Sequence, residues 1–369
     1  MASNVELACS AEVERFLAEE TAAFTRELAM IAAEVDDHPT PFSQAHLERL
    51  TAAAENSRQA CHDLELRIGE DQAALRAAQA AYRAAIAPWF DRSWLMHRAK
   101  FKPKGYPGDY AILTAIYDRL PKSPGIGGYL DLYFLNTQLG RAVPARLRAV
   151  REFLIRELGQ RGGEVSVLNV ACGPCREYTE DFEIPPAVRP RITCLDSDEE
   201  ALEFARQNLA RRNGATPDVS CARYNALRMS SAKRNIEAFG RPDVIYSIGL
   251  FDYITDRHLV PILKGLRETL AAGGVLYVAF KDADRYDKTV YQWMVDWFFL
   301  QRTERQCLAL CEQAGFDTGR IDVCRDETGI ILNFISRSAP AARYRIDAAQ
   351  GAAEPRAVPA ASPSQPPGS

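Results

Sequence analysis

Hydrophobic positions in the first hundred residues repeat with the spacing of α-helices. A second tract over about 43–86 is rich in good helix formers, with Gly69 expected to interrupt it and Pro88 to end it. The pattern predicts an all-helical region, which serves either as a scaffold or dimerisation pair or as a lid over a site formed elsewhere. In the first tract one face is apolar and the opposite face is polar. The apolar face is formed by Val13, Phe16, Leu17, Phe24, Leu28 and Ile31, which recur at helical spacing.

A loop of distinct composition follows at residues 102–110. Its sequence is Lys-Pro-Lys-Gly-Tyr-Pro-Gly-Asp-Tyr. The two prolines and two glycines define a specific loop, and its Lys, Tyr and Asp side chains are typical of binding loops. A plain connection between domains is the open alternative. The pattern then predicts a helix that ends at Gly162-Gly163 and has an apolar face at Leu147, Val150, Leu154 and Leu158.

Short apolar strands alternate with helices from residue 164 onward. This alternation predicts a parallel sheet covered on both faces. A final pair, near 321–323 and 330–335, is expected to form an antiparallel hairpin around the turn 326–329. The five strands before it are expected at 165–170, 192–195, 219–224, 244–248 and 275–280.

The patterns divide the chain into four parts. We expect a helical N-terminal domain over 1–100, a covering loop with helices over 101–140, an α/β domain over 141–338 and a disordered, proline-rich tail over 339–369.

Composition excludes several classes of protein. Of the 369 residues, 47% are hydrophobic and the net charge is −4. A wholly disordered chain is therefore excluded, and the basic balance typical of nucleic-acid binding is absent. No apolar stretch reaches the ~20 residues of a membrane span, and the start of the chain does not resemble a secretory signal. We expect a cytoplasmic protein that has no membrane span and does not bind nucleic acid.

The nine cysteines predict free thiols rather than a disulfide framework. Cys172 and Cys175 form a CxxC pair, the spacing of many zinc ligands. No second CxxC or HxxxH lies nearby to complete four ligands, so we expect no metal and interpret both cysteines as small residues of a turn.

Polar residues at three predicted strand ends point to a nucleotide-like cofactor. The first strand runs into a turn that contains Gly173, and Asp196 follows at about the 20-residue distance of an acid that binds ribose. Asp196 is alternatively a helix N-cap, although Asp198 is placed to fill that role. Asn225 and Ala226 end the third strand, where a polar side chain suits adenine.

These segments resemble the class I S-adenosylmethionine (SAM)-dependent methyltransferases over about residues 140–337. The family's first motif, Asp/Glu-x-Gly-x-Gly-x-Gly, corresponds here to Asn169, Ala171, Gly173 and Cys175. The resemblance implies a Rossmann-like sheet, mostly parallel with an antiparallel last hairpin strand. It also implies SAM as cofactor, S-adenosylhomocysteine (SAH) as product, and a cofactor site comprising Asn169, Ala171, Cys172, Gly173, Asp196, Ser197, Asn225, Ala226 and Gly249. In that site Gly173 would abut the methionine part, Asp196 the ribose and Asn225 the adenine.

Four blocks resemble a narrower bacterial subgroup. They are the loop at 102–110, the segment 249–253, Asp296-Trp297 with Arg302-Thr303, and the turn 326–329. The subgroup includes carboxyl methyltransferases that make hydroxy fatty acid methyl ester signals. The resemblance implies a small-molecule acceptor.

The shortage of histidine slightly favours a carboxylate acceptor. A carboxylate is ionised at pH 7 and needs no base, whereas an alcohol, phenol or ammonium must lose a proton. No histidine lies in 249–253 or 280–282. The catalytic candidates are Tyr106, Asp109 and Asp252, of which either aspartate or a tyrosine is an alternative base. The substrate-binding candidates are Tyr110, Phe251, Tyr253, Lys281 and Trp293.

Several alternatives stay open. Lys281 either holds an anionic acceptor or is a solvated surface lysine, and Trp293 is either a core residue or a pocket wall. The favoured function is methyl transfer to a small molecule, with an N- or O-methyltransferase of a polar metabolite as the alternative. A non-catalytic SAM-binding scaffold is the second alternative, and a homodimer through the N-terminal helices is an expected assembly.

Overall fold

The computed structural model describes residues 11–36, 42–179, 181–210 and 218–339. The sequence Asp-Asp-His-Pro-Thr-Pro at 36–41 predicts a break between the first two helical tracts, and its residues 37–41 lie outside the described residues, as does the predicted tail from residue 340 onward.

Helices make up all the regular structure described in the first hundred residues, as predicted. Gly69 separates α2 from α3 with a left-handed φ of 66°, a conformation that costs glycine little. After a π-helical turn at Leu17–Thr21, the helices are α1 (Ala22–Val35), α2 (Gln44–Ile68), α3 (Gln72–Phe90) and α4 (Trp94–Phe101).

The prediction that Pro88 ends its helix is wrong. Helix α3 continues to Phe90, with Pro88 inside its last turn. Pro88 lacks a backbone N–H and so cannot donate to the carbonyl four residues earlier. In the last turn of a helix this loss does not prevent the next two residues from staying helical. The buried Phe90 ring packs on Phe24 of α1, with ring centroids 6.0 Å apart, which favours the extra turn.

Three helices connect this region to the sheet. The last of them buries the predicted apolar face, and Gly162 ends it with a φ of 69°. They are α5 (Tyr110–Asp118), α6 (Gly125–Asn136) and α7 (Gln138–Arg161).

A seven-stranded sheet confirms the predicted Rossmann-like α/β fold. Its order is β3-β2-β1-β4-β5-β7-β6, and all neighbouring pairs are parallel except those formed by β7. The predicted hairpin is thus present, with β7 inserted between β5 and β6. The strands are β1 (Gly163–Val170), β2 (Val188–Asp196), β3 (Asp218–Arg223), β4 (Val244–Ser247), β5 (Val275–Lys281), β6 (Ile321–Arg325) and β7 (Ile331–Arg337).

The chain order reverses between β1 and β4. From β1 it proceeds outward through β2 to β3, then returns to β4 on the other side of β1. Such a switch point opens a crevice at the carboxyl ends of the strands, where α/β proteins bind ligands. The remaining helices are α8 (Glu199–Ala210), α9 (Ala232–Phe239), α10 (Asp256–Thr269) and α11 (Glu304–Gln313).

One apolar cluster joins the N-terminal helices to the rest of the molecule. It extends from Phe16 to Val143 and includes side chains between Ala279 and Ile331. The predicted domain boundary at residue 100 falls inside this cluster and stays a prediction. Two further clusters cover the faces of the sheet. Among the described residues, no helix is long and apolar enough to cross a membrane.

A buried carboxylate ties α7 to the sheet. Glu157 accepts hydrogen bonds from Arg161 of the same helix and from Arg337 of β7, both at 2.7 Å. Burial alone raises the pKa of Glu157, but the two arginines outweigh it, so the pKa lies below its ordinary value.

We expect Glu157→Gln to lower the free energy of unfolding by about 2–3 kcal/mol at pH 7, since hydrogen bonds to a charged group are lost. A carboxyl group with a lowered pKa stabilises the fold above its unfolded-state pKa, and this contribution disappears as the pH falls through the folded-state value. Urea unfolding of wild type and variant should therefore converge in acid.

The matched control is Glu164→Gln, because the Glu164 side chain is 68% exposed. It should change the unfolding free energy by less than about 0.5 kcal/mol. A Glu157→Gln effect that does not shrink in acid would contradict the ion-pair explanation.

Candidate active site

The turn after β1 has three residues in left-handed conformation. Ala171, Gly173 and Cys175 have φ angles of 59°, 54° and 52°. These are the positions at which the resembled family has glycine. A left-handed backbone costs a residue with a side chain about 1–2 kcal/mol, so the surrounding contacts must impose it at Ala171 and Cys175. The glycine-type path is therefore kept although two glycines are absent.

Asp196 holds this turn against the end of β2. Its buried carboxylate accepts hydrogen bonds from the backbone N–H groups of Gly173, at 2.9 Å, and Asp198, at 3.0 Å. Burial raises the pKa of Asp196 to about 6. Each carboxylate oxygen has further lone-pair capacity for a ligand hydroxyl.

Asp198 takes the capping role that was the alternative for Asp196. Its Oδ1 accepts the backbone N–H of Glu200 in the first turn of α8, at 3.0 Å. Its Oδ2 is buried and has no hydrogen-bond partner among the described residues. An orphaned acceptor beside Asp196 is a position for a ligand donor, and the sequence analysis did not include Asp198 in the site.

The end of β3 brings Asn225 next to these acids. The backbone N–H of Tyr224 donates to the Asp196 carbonyl at 2.8 Å. Asn225 is exposed and caps the short helix at Ala226–Ser230 by accepting the Leu227 N–H. Ser197 is exposed at the same edge. The predicted cofactor residues from the three strand ends therefore lie together.

A buried network lies beneath the turn. The Asn169 amide donates to Glu177 at 2.7 Å, and the Tyr246 hydroxyl donates to the same oxygen at 2.6 Å. Burial raises the pKa of Glu177 to about 7. Sequence analysis missed Glu177, which supplies a carboxylate beside the asparagine that replaces the family's acidic residue.

The loop at 102–109 spans from the predicted cofactor edge to the segment after β5. Lys104 forms ion pairs with Glu200, at 2.5 Å, and Asp198, at 3.7 Å, while Lys102 pairs with Asp296 at 2.6 Å. At Gly108, a Cβ would lie 2.9 Å from the Trp297 ring, so glycine is required there. The loop thus covers one side of the crevice.

The three candidates from this loop have different surroundings. Tyr106 is 37% exposed, and burial followed by the charges of Asp196 and Asp198 raises its pKa. Asp109 caps α5 and pairs with Arg98 at 2.9 Å. Tyr110 packs on Phe204 of α8, with ring centroids 5.2 Å apart. Tyr106 lies near Asp196 and Asp198, and Tyr110 lies near Glu200 and Asp198, so both tyrosines face the predicted cofactor edge.

An apolar cavity adjoins Gly249, the residue two positions after β4. Its free space is about 30 Å³, room for about two water molecules, so a larger ligand requires the walls to separate. Gly108 and Trp297 line it as well, which puts the covering loop at its rim. Its apolar walls include Leu113, Phe134, Leu139, Val143, Tyr291 and Phe299.

Lys281 is buried at the cavity and paired with Asp252. Its ammonium lies 2.5 Å from the Asp252 carboxylate and 4.0 Å from the Phe299 ring centroid. Desolvation lowers the pKa of Lys281, and the Asp252 charge opposes that shift. At 5% exposure Lys281 is not a solvated surface residue. The backbone N–H of Lys281 also donates to Asp252, at 3.0 Å.

Arg146 of α7 is the second buried cation of the cavity. It is 4% exposed, its Nε has no hydrogen-bond partner, and no carboxylate among the described residues forms an ion pair with it. Its Nη2 lies 3.4 Å from the position that a Cβ on Gly249 would occupy. Sequence analysis missed Arg146. The available signal was its spacing, because Arg146 lies on the same helical face as the apolar Leu139, Val143 and Val150 and is therefore a charged residue on a buried face.

The other acceptor-side candidates divide between cavity and core. Tyr253 lines the cavity and accepts a hydrogen bond from the Trp297 indole at 2.9 Å. Phe251 is fully buried against Phe280, away from the cavity lining. Trp293 packs between Phe16 and Tyr82 of the helical region and donates to Glu65 at 3.0 Å.

No protein-family model and no curated protein matches the chain. Among solved structures, it is similar to a possible exported protein from Bordetella parapertussis, with 17% identity, a TM-score of 0.52, and 87% of this chain and 96% of that chain covered. At this identity the similarity concerns the fold alone. It extends over the helical region as well as the sheet.

Methyltransferases are also among the similar solved structures. The N-methyltransferase NodS from Bradyrhizobium japonicum has 17% identity and a TM-score of 0.36, over 53% of this chain and 97% of that chain. The magnesium protoporphyrin IX methyltransferase from Synechocystis, with bound SAH, has 9% identity and a TM-score of 0.42, over 55% of this chain and 86% of that chain.

Removing one partner of the buried Lys281–Asp252 pair should destabilise the fold. We expect Lys281→Met to lower the free energy of unfolding by about 3–5 kcal/mol, because it leaves a carboxylate buried without its cation. Adding Asp252→Asn in the same chain should restore part of that loss. Urea unfolding of the single and double variants measures both effects.

Lys233→Met serves as the control, since the Lys233 side chain is 87% exposed. A Lys281→Met variant as stable as this control would contradict the assigned ion pair.

Proposed function

We propose that this chain is a SAM-dependent methyltransferase whose acceptor is a small molecule with a carboxylate, so that the product is a methyl ester. The observation that carries the proposal is the adjacency of two features at one switch point. The left-handed turn with Asp196 has the form of a SAM cradle, and the cavity beside Gly249 contains an unpaired buried cation, Arg146.

The residues of the cradle suit SAM. The Gly173 turn leaves space for close backbone approach, since the nearest atom to a Cβ there would be a Leu113 methyl at 3.7 Å. Asp196 and the orphaned Asp198 Oδ2 are acceptors for ribose hydroxyls, and the exposed Asn225 suits the adenine edge. When bound, SAM supplies a methyl group activated by its sulfonium, so the chain must orient the acceptor and exclude water.

Asp196→Asn should weaken SAM binding at least tenfold in calorimetry, because a charged acceptor of ribose hydroxyls is worth about 1.5–3 kcal/mol. Asp322→Asn, at an exposed position on β6, is the matched control and should bind SAM as wild type does. Equal SAM affinity in Asp196→Asn and wild type would sink the cofactor-site assignment.

The surroundings of the cavity favour an acceptor that arrives without a proton. Asp252 is occupied by Lys281, and Asp109 by Arg98 and the α5 N-terminus. Burial raises the pKa of Tyr253, which makes it a poor proton acceptor at neutral pH. A carboxylate needs no base, whereas an alcohol or ammonium does.

The charge of the cavity favours an anion. Lys281 and Asp252 neutralise each other. Arg146 interacts with the Tyr117 hydroxyl but with no carboxylate among the described residues, so it leaves one net positive charge at the cavity. A buried charge without a counter-ion is costly, and a guanidinium pairs well with a carboxylate. We infer that the acceptor carboxylate binds Arg146 while its apolar part lies against Phe134, Val143 and Phe299.

Labelled methyl transfer tests the acceptor class. The full chain is incubated with methyl-labelled SAM and straight-chain, 3-hydroxy and aromatic carboxylic acids, each beside the amide and primary alcohol of the same skeleton. We expect labelled product only with the acids, and release of the label by base, as a methyl ester requires. A base-stable product would support the N- or ether-forming O-methyltransferase alternative, and SAM binding without turnover would support the scaffold.

Arg146→Met separates the acceptor role from a cofactor role in the same assay. We expect its KM for the best acid to rise at least tenfold while its Kd for SAM stays unchanged. Arg148→Met is the control on the same helix, since the Arg148 side chain is 48% exposed. A rise in the Kd for SAM would assign Arg146 to the methionine carboxylate of SAM and overturn the acceptor assignment.

The proposed setting is the cytoplasm, where thiols stay reduced. All eight cysteines of the described residues are free, which supports this proposal. The homodimer through the N-terminal helices stays a prediction.

A further inference from the structure

Three thiols meet behind the turn that follows β1. Cys172 and Cys175 lie in the turn and Cys194 lies on β2, and their three Sγ atoms are within 4.8 Å of one another. All three side chains are buried, Cys175 and Cys194 completely. Cys172 and Cys175 are close in sequence, whereas Cys194 belongs to a separate strand.

A fourth thiol lies next to this group. Cys221 of β3 is paired in register with Cys194 of β2, so both side chains point to the same face of the sheet. The Cys194 thiol interacts with that of Cys221 as well as with those of Cys172 and Cys175. Cys221 is half-buried at the edge of the group.

Simple core packing does not explain why these thiols lie so close together. Free cysteines are commonly buried as small apolar residues, and Cys61, Cys307 and Cys311 behave in this way. Those three are as buried as Cys172, Cys175 and Cys194, but none of them belongs to a group of three or more converging ligand-type side chains among the described residues. Packing alone gives no reason for thiols from two elements to face one another.

We propose that Cys172, Cys175 and Cys194 bind one zinc ion, with Cys221 as the fourth ligand. Zinc prefers four tetrahedral ligands with Zn–S distances of about 2.3 Å, and sets of thiolates select such soft or borderline metals. Each cysteine that binds releases its thiol proton to solvent. Only a glycine and a proline separate the first two ligands, and this tight turn brings both thiols to the same side.

The metal would fix the cofactor edge of the sheet. Gly173, whose N–H holds Asp196, lies between two of the ligands, and Asp196 follows Cys194 by two positions. A zinc ion would therefore join the β1 turn to β2 and β3 at the place where their ends form the crevice. The site does not depend on the proposed methyl transfer, and either proposal can fail without the other.

Cobalt uptake tests the site in the full chain. Protein kept reduced with a phosphine and freed of metal is titrated with CoCl₂, and we expect one equivalent to bind with the charge-transfer and ligand-field absorption of tetrahedral cobalt thiolate. ZnCl₂ should then displace the cobalt and abolish the absorption. Absence of these bands would overturn the proposal.

Cysteine variants identify the ligands. Cys194→Ser should abolish the cobalt absorption, and Cys221→Ser should weaken cobalt binding at least tenfold. Cys311→Ser, which alters an equally buried cysteine outside the group, should leave both unchanged. Equal binding by Cys221→Ser and wild type would overturn the fourth ligand, and equal loss in Cys311→Ser would overturn the whole assignment.

Alkylation of the wild-type chain keeps the test valid if the variants fail to fold. With ZnCl₂ present, mass spectrometry should show the four cysteines protected from iodoacetamide under partly denaturing conditions, while the exposed Cys324 reacts at an unchanged rate. Equal reactivity with and without zinc would contradict the proposal, as would a Cys172–Cys175 disulfide that forms in air in the presence of zinc.

Discussion

The hydrogen bond from the Gly173 backbone N–H to the Asp196 carboxylate connects the two halves of the proposed cofactor edge. It joins the turn after β1 to the end of β2 while the turn passes through three left-handed residues. Without such a fixed acceptor, the strain at Ala171 and Cys175 would favour a different path. The position of Gly173, and hence the shape of the proposed SAM cradle, depends on this contact.

The proposed acceptor side is governed by charge in a buried, largely apolar cavity. Lys281 and Asp252 compensate each other, and their mutual attraction is strong because both are shielded from water. Arg146 has no such partner among the described residues. A ligand anion would remove this imbalance, which is why the same geometry that favours a carboxylate disfavours a cationic acceptor such as an ammonium.

The helical region packs against the segment that follows β5. Its apolar cluster is continuous with the segment that contains Trp293 and Trp297. Trp293 belongs to the packing of that cluster, whereas Trp297 reaches the cavity and contacts the loop at Gly108. No described residue before Gly108 lines the cavity, so the contacts of the helices before residue 100 fit the scaffold interpretation, and the lid role stays a prediction.

Local pattern alone determined the helices before residue 100, the strands, the hairpin and the strand-end residues Gly173, Asp196 and Asn225. It succeeded because periodicity and strand ends are properties of short segments. Only the tertiary structure decided which charges and thiols meet. Residues that are far apart in the chain become neighbours through strand order and helix packing. They are Arg146 with Gly249, Lys281 with Asp252, and Cys172 with Cys194 and Cys221. Burial is likewise a property of the whole fold, and it is burial that distinguishes Arg146 from a solvated surface cation.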